Sequence, residues 1–301
     1  MKKVLVTGSN GLLGQKLVEL YANREGIELI ATGRGADRNG GSSHTYCTMD
    51  ITSQEDINDV FGRFQPDAVI NCAAMTQVDQ CEEDREACWL QNVTAVKYLM
   101  EVCAQYNSFL LHLSTDFIFD GEAGPYEEDA TPNPLSYYGE SKLASEQLLV
   151  NSNIEWAIAR TILVYGIVRD MSRSNIILWV KKSLEERKEI KVVNDQWRTP
   201  TLAEDLAIGC ALIVDKKAQG VFNISGKDLL TPYEMALKTA EFFELDTATM
   251  METDGSIFKQ PASRPPKTGF ILDKAREQLG YDPRSFEEGI AYLSEQLQVK
   301  G

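Results

Sequence analysis

Histidine is almost missing from this chain: only His44 and His112 occur in 301 residues. A Ser-His-Asp triad or a histidine-rich metal centre has little to draw on, so other groups must move any protons. Cysteine is present but unpatterned. The six residues at 47, 72, 81, 88, 103 and 210 form no C-x-x-C pair, which reads as buried free thiols of a reducing compartment. Basic residues are in deficit, 30 Lys and Arg against 45 Asp and Glu for a formal charge of −15. Non-specific nucleic-acid binding needs the opposite balance. No apolar run approaches the ~20 residues of a membrane span. Met-Lys-Lys leads straight into Val4-Leu5-Val6-Thr7-Gly8, too short for a signal-peptide core. The expectation is a cytoplasmic protein with no nucleic-acid or membrane partner.

What is present is rhythm. Short apolar or β-branched runs predict strands near Lys3–Thr7, Glu28–Thr32, Thr45–Met49, Ala68–Asn71, Phe109–Ser114 and Trp156–Thr161. Amphipathic patterns between them predict helices over Gly14–Asn23, Gln54–Phe64, Arg85–Tyr106 and Ser136–Val150. Strands apolar on both faces, alternating with helices, indicate an α/β fold with a doubly wound parallel sheet. Glu122–Pro134, rich in Pro, Gly and acids, reads as a surface loop. Beyond Gly166 the spacing predicts helices over Asn175–Arg187, Ala203–Asp215, from Thr231-Pro232, around Leu272–Leu279 and over Ser285–Gln298, with a strand at Gly220–Ile224. The expected division is a dinucleotide-binding domain over residues 1–165, with return segments near 190–227, and a smaller mixed substrate-binding lobe over 166–301.

The first strand runs into Gly8-Ser9-Asn10-Gly11-Leu12-Leu13-Gly14, with glycines at i, i+3 and i+6 before a helix. Gly8 permits the tight turn, Gly11 lets the backbone approach a pyrophosphate, and Gly14 allows close helix–strand packing. Gly8, Asn10, Gly11, Leu12, Leu13 and Gly14 are therefore expected to line a dinucleotide. The second strand ends in Ala31-Thr32-Gly33-Arg34, without the acid that would bind a ribose 2′-hydroxyl. Arg34 can pair with a 2′-phosphate instead, which favours NADPH, with NADH as the alternative.

Two stretches carry proton chemistry. One is Leu113-Ser114-Thr115-Asp116, leaving the fifth strand; the other is Tyr137-Tyr138-Gly139-Glu140-Ser141-Lys142. Tyr138 and Lys142 are one helical turn apart, so an ammonium can favour the phenolate and lower its pKa. Such a tyrosine can protonate a developing alkoxide as hydride arrives from nicotinamide C4. Tyr137 cannot, because its i+4 partner is Ser141. Thr115, at the carboxyl end of a parallel strand, could polarise a substrate carbonyl. Arg198 could meet a diphosphate or form an ordinary surface salt bridge. Trp179 reads by default as core.

The glycine spacing and the Tyr-x-x-x-Lys pair resemble those of extended short-chain dehydrogenase/reductases. Within them the chain is similar to the dTDP-4-dehydrorhamnose reductases, over nearly its whole length. The residues that carry this are Asn71-Cys-Ala-Ala-Met-Thr-Gln-Val-Asp79, Ser114-Thr-Asp-Phe-Ile-Phe-Asp-Gly121, Tyr138-Gly-Glu-Ser-Lys142, Arg160-Thr161 with Val164-Tyr165-Gly166, Asn194-Asp-Gln-Trp-Arg-Thr-Pro-Thr201 and Arg264-Pro-Pro266. The resemblance implies NADPH-dependent reduction of a 4-keto nucleotide sugar in dTDP-rhamnose biosynthesis, with Thr115, Tyr138 and Lys142 as the working triad. It also implies that Asp50 and Ile51 flank the adenine and that Cys72, Ala73, Ala74 and Leu113 border the dinucleotide. Asn92 would help position the site, and Asp116, Leu163, Arg198 and Arg264 would lie on the substrate side. Where the family has a tryptophan against the sugar nucleotide, this chain has Leu163, which offers no flat stacking surface.

Regulatory subunits of methionine adenosyltransferase share these motifs, so an idle dinucleotide-binding subunit is the competing reading, and a nucleotide-sugar epimerase a third. Thr115 is followed by Asp-Phe rather than Asp-Glu, which argues against dehydration. A homodimer is expected from the family, through helices such as Arg85–Tyr106 and Ser136–Val150.

Overall fold

Seven parallel strands form the central sheet: β1 (Lys2–Thr7), β2 (Ile27–Gly33), β3 (Thr45–Thr48), β4 (Ala68–Asn71), β5 (Phe109–Thr115), β6 (Trp156–Thr161) and β10 (Gly220–Asn223). Their spatial order is β10-β6-β5-β4-β1-β2-β3, so the winding reverses between β1 and β4 and opens a crevice at the carboxyl ends there. The structure is a computed structural model and describes all residues except 23, 42, 170–174, 259 and 301.

The inner strands β1, β2, β4, β5 and β6 are buried on both faces over most of their length, as their apolar runs require, whereas the edge strand β3 buries only Cys47. On one face α1 (Leu12–Ala22) packs on α8 (Ala203–Lys216), with Leu17, Val18 and Tyr21 meeting Leu206, Cys210 and Ile213 in one cluster. On the other, α2 (Gln54–Phe64) and α5 (Ala95–Tyr106) bring Ile57, Val60 and Phe61 against Leu99, Val102 and Cys103. Ser53 caps α2 by accepting from Asp56 N, and Ser136 caps α6 (Tyr137–Val150) by accepting from Gly139 N.

The helix expected over Arg85–Tyr106 is not uniform. It comprises α4 (Arg85–Trp89), a wide π turn over Leu90–Thr94, and α5, and a separate helix α3 (Val78–Glu83) precedes it. A one-residue widening leaves hydrophobic periodicity almost unchanged, so the sequence does not reveal it; such bulges gather at functional sites. The remaining strands and α-helices are β7 (Val164–Tyr165), α7 (Ile176–Glu185), β8 (Ile190–Val193), β9 (Thr201–Leu202), α9 (Pro232–Phe242), β11 (Met250–Thr253) and α10 (Phe286–Lys300), and the helix expected around Leu272–Leu279 is a second π turn over Ala275–Leu279. Two short parallel pairs, β8 with β11 and β7 with β9, lie outside the strands expected from the sequence. Of residues 190–227, α8 and β10 return to the main sheet, whereas β8 does not.

Glu122–Pro134 is the surface loop the sequence predicts, every residue of it but Tyr126 at least partly exposed, and that one residue anchors it. Tyr126 is buried, stacks on Phe119 at 4.1 Å between centroids, and exchanges backbone hydrogen bonds with Gly269 (2.7 Å) and Ile271 (3.0 Å). One aromatic in an acidic stretch supplies enough apolar area to hold it. Among the described residues no helix is long and apolar enough to cross a membrane.

Candidate active site

At the end of β1, Gly8 turns the chain at φ +64°, so close to β4 that a Cβ there would lie 2.9 Å from Ala73 N. A Cβ on Gly14 would lie 2.3 Å from the Gly8 carbonyl oxygen, which only glycine avoids. A Cβ on Gly11 would meet nothing but that same oxygen, at 3.2 Å, so the turn is open on its outer side. The first turn of α1 holds no acidic residue, leaving its partial positive charge uncancelled. Leu12 and Leu13 lie half-buried in that turn, and Cys72, Ala73 and Ala74 half-buried at the end of β4. The Ser9 and Ser114 hydroxyls are buried without a partner among the described residues. An open glycine cradle, a free helix dipole and orphan hydroxyls fit a dinucleotide.

Asn10 serves this region indirectly. Its Nδ2 donates to the Ala36 carbonyl (3.0 Å) and the Tyr46 hydroxyl (3.1 Å), and its Oδ1 accepts from Arg38 N (2.9 Å). The loop after β2 is thereby tied to the glycine turn. Arg34 is exposed on it, as is Arg38, and neither has an ion-pair partner among the described residues. Arg38 is a second cation that the strand-end argument missed; its place in Arg34-Gly-Ala-Asp-Arg38 was the available signal. The one acid there, Asp37, is spent on Asn39 and on His44 Nε2 (2.8 Å). Asp50 caps its own turn by accepting from Thr52 N and Oγ1, and Ile51 is buried beside it.

Thr115, Tyr138 and Lys142 converge at the carboxyl end of β5. The Thr115 hydroxyl donates to Asp116 Oδ1 (3.1 Å), accepts from Phe117 N (3.3 Å) and lies within hydrogen-bonding reach of the Tyr138 phenol. Tyr138 is buried, edge-on to Phe117. The expected fall of its pKa is not found. Burial pushes the phenol up, the Thr115 hydroxyl opposes that, and the Asp116 carboxylate adds to the rise. Lys142 Nζ is occupied elsewhere, donating to the Leu113 carbonyl (2.6 Å) and meeting His112 Nε2 (3.1 Å). Burial brings Lys142 down to about 8. Tyr137 faces away, beside Trp89 and under the Arg85 guanidinium.

Three of the expected contact residues are engaged by the protein itself. Arg198 is buried, neither a surface salt bridge nor open to a diphosphate. It donates to the Trp197 (2.7 Å), Pro266 (3.3 Å) and Pro265 (2.6 Å) carbonyls, with Nε 3.7 Å from Asp116 Oδ2. Arg264 grips Asp79 through both carboxylate oxygens, at 3.1 and 2.7 Å. Asn92 turns its amide onto Met75, accepting from its N–H (2.8 Å) and donating to its carbonyl (3.0 Å), and also donates to Ser141 Oγ (3.0 Å). Asn92 lies within the π turn. Asp116 also accepts from the Thr268 hydroxyl, and burial raises its pKa. Thr268 carries no sequence signal, because its role depends on a contact 152 residues away.

Leu163 is 46% exposed and holds φ +38°, a strained left-handed backbone for a branched residue. Trp179, expected in the core, is 39% exposed, and Trp197 is 37% exposed. Periodicity places Trp179 on an amphipathic helix but cannot say how much of a large ring the neighbours cover.

Sheet order and glycine turn together define a member of the extended short-chain dehydrogenase/reductase class. The chain belongs to the RmlD substrate binding domain family, whose profile matches residues 1–299. It is 31% identical over 299 residues to the spore coat polysaccharide biosynthesis protein SpsK of Bacillus subtilis (strain 168), covering 98% of each chain. It is 29% identical over 297 residues to methionine adenosyltransferase 2 subunit beta of Xenopus laevis, covering 96% of this chain and 86% of that one. A dTDP-4-dehydrorhamnose reductase from Bacillus anthracis, solved in complex with NADP, matches with a TM-score of 0.87 at 27% identity, over 98% of this chain and 100% of that one.

Proposed function

We propose that this chain is an NADPH-dependent reductase of a nucleotide-linked 4-keto sugar, with Tyr138 as proton donor. The observation that carries the reading is the buried Tyr138 phenol, held by Thr115 with Lys142 one turn on, at the strand end that faces the glycine cradle. A phenol kept protonated near neutral pH is a donor, which suits protonation of an alkoxide. The Thr115 hydroxyl beside it would orient the phenol. Gly8, Gly11, Gly14, Leu12, Leu13 and the Cys72–Ala74 stretch would hold the dinucleotide, with Arg34 and Arg38 at its 2′-phosphate. The bound dinucleotide would supply hydride at nicotinamide C4. Exposed Leu163, Trp179 and Trp197 leave the choice of sugar to contacts unlike the family's tryptophan. The residues after about 165 would form the substrate side.

The test is NADPH oxidation, followed at the nicotinamide absorbance band, across a panel of nucleotide-linked 4-keto sugars. Oxidation with at least one of them is expected. Tight dinucleotide binding with no turnover on any sugar favours the idle subunit, and sugar isomerisation without net absorbance change favours the epimerase. In parallel, Arg34→Ala is expected to weaken 2′,5′-ADP competition by about ten- to a hundredfold, as loss of a charge-assisted phosphate contact should. Equal competition before and after the substitution would assign the 2′-phosphate elsewhere.

A further inference from the structure

A hydrogen-bonded chain runs beneath the site, through four buried side chains on three adjacent strands and a helix. The Ala73 N–H donates to Thr7 Oγ1 (3.2 Å), and the Thr7 hydroxyl donates to Asn71 Oδ1 (2.6 Å). Asn71 Nδ2 contacts His112 Nδ1 at 3.1 Å. His112 Nε2 then lies 3.1 Å from Ser145 Oγ and 3.1 Å from Lys142 Nζ. Thr7, Asn71, His112 and Lys142 are all nearly inaccessible to solvent, so each polar atom must find its partner inside the chain.

The donors at the two ends fix its polarity. A backbone N–H can only donate, so it occupies a lone pair of Thr7, whose hydrogen goes to Asn71. Asn71 has then spent its oxygen and turns its NH2 to His112 Nδ1, making that nitrogen an acceptor. A neutral imidazole with Nδ1 accepting carries its proton on Nε2. Ser145 can receive it, because its own hydroxyl donates to the Lys142 carbonyl (2.7 Å). Lys142 Nζ therefore faces an N–H and not a lone pair.

We infer that His112 is a positioning residue for Lys142: by presenting Nε2–H it withholds the acceptor that would fix an ammonium, and keeps the amine able to exchange a proton. The inference rests on the reading of Lys142 as part of the reacting site. The other groups facing Lys142 act in the opposite sense, the Leu113 carbonyl by accepting from Nζ at 2.6 Å. Glu146 on the same helix and the Cys88 thiol on α4 both favour the charged form, and Glu146 is already bound by Arg160. Burial and the lysine charge hold His112 itself well below the usual histidine range. Neutral imidazole and exchangeable amine thus reinforce each other.

Because these 301 residues hold only two histidines, 15N-histidine labelling gives signals from two imidazole rings, assigned by His44→Gln. His112 is expected to show the Nε2–H tautomer without titrating from about pH 6 to 9. A proton on Nδ1, or a midpoint near ~6.5, would overturn the inference. In lysine labelled at 13Cε, with Lys142→Met for assignment, Lys142 is expected to titrate near 8. His112→Gln, which can turn an amide oxygen to the amine, is expected to raise that midpoint by about one unit, a tenfold gain in proton affinity. An unchanged midpoint would also overturn it. The tautomer is read in the unsubstituted chain, so failure of His112→Gln to fold leaves that arm decisive. Neither arm needs turnover, so a chain inactive on every keto sugar would refute the proposed function without touching these signals.

Discussion

Tyr138→Phe is expected to lower keto-sugar reduction by about 10²- to 10⁴-fold, the usual contribution of a positioned general acid. Affinity for the dinucleotide should change little, because the substitution removes one oxygen from a side chain whose ring stays packed against Phe117. The fold should change little too. The polar contact with the Thr115 hydroxyl is lost, worth at most about 1 kcal/mol. The measurement is single-turnover NADPH oxidation beside a fluorescence titration of the cofactor. Intact turnover would show that another group is the acid. Lost turnover with lost binding would place the defect in the cradle instead.

Arg160→Met is expected to destabilise the fold by about 3–5 kcal/mol, the largest effect on stability in this set. Arg160 leaves β6 with its fork on Glu146, Nε to Oε1 at 3.0 Å and Nη2 to Oε2 at 2.7 Å, and donates Nη1 to the Glu128 carbonyl at 2.9 Å. Its guanidinium also lies over the Phe119 ring, 5.4 Å from the centroid. Methionine fills comparable space but takes the paired guanidinium from the buried Glu146 carboxylate, leaving only Lys142 one turn away to offset its charge, and that penalty dominates. Adding Glu146→Gln removes the stranded charge, so the double variant should recover a substantial part of the loss in denaturant midpoint. No recovery would mean that lost packing, not the carboxylate, sets the cost. Glu146 is also one turn from Lys142 and favours its charged form, so the single variant should raise the Lys142 midpoint.

Both predictions concern residues that are visible in the sequence for different reasons. Gly8, Gly11 and Gly14, and Tyr138 with Lys142, are legible because their meaning is local. Three-residue spacing in a strand-to-helix turn and four-residue spacing on a helix fix relative position by backbone geometry alone. The same locality makes α2 readable to the residue, with Ser53 as cap. Arg160 is visible only as a signpost of resemblance, since nothing near it in sequence reveals that Glu146 is its partner.

The failures share one cause. Arg198 and Arg264 look available to a ligand because their partners, Asp116 with the Pro265–Pro266 carbonyls and Asp79, lie between 67 and 185 residues away. Trp179 looks like core because amphipathic spacing does not report how far neighbouring elements extend. Lys142 is read as an ammonium because the burial that opposes its charge comes from elements that only the fold brings together. The scarcity of histidine is the clearest case. With two histidines, the chain cannot build histidine-rich chemistry, and a tyrosine–lysine pair takes the proton work in the proposed mechanism. That much follows from sequence, because a residue that is absent cannot act. Where the remaining imidazole sits is decided by tertiary structure alone. Parallel pairing of β1 with β4 and β4 with β5, in register Thr7–Asn71–His112, brings the three side chains together with Lys142. Register is a long-range property, set by burial of whole strands, and no local spacing encodes it.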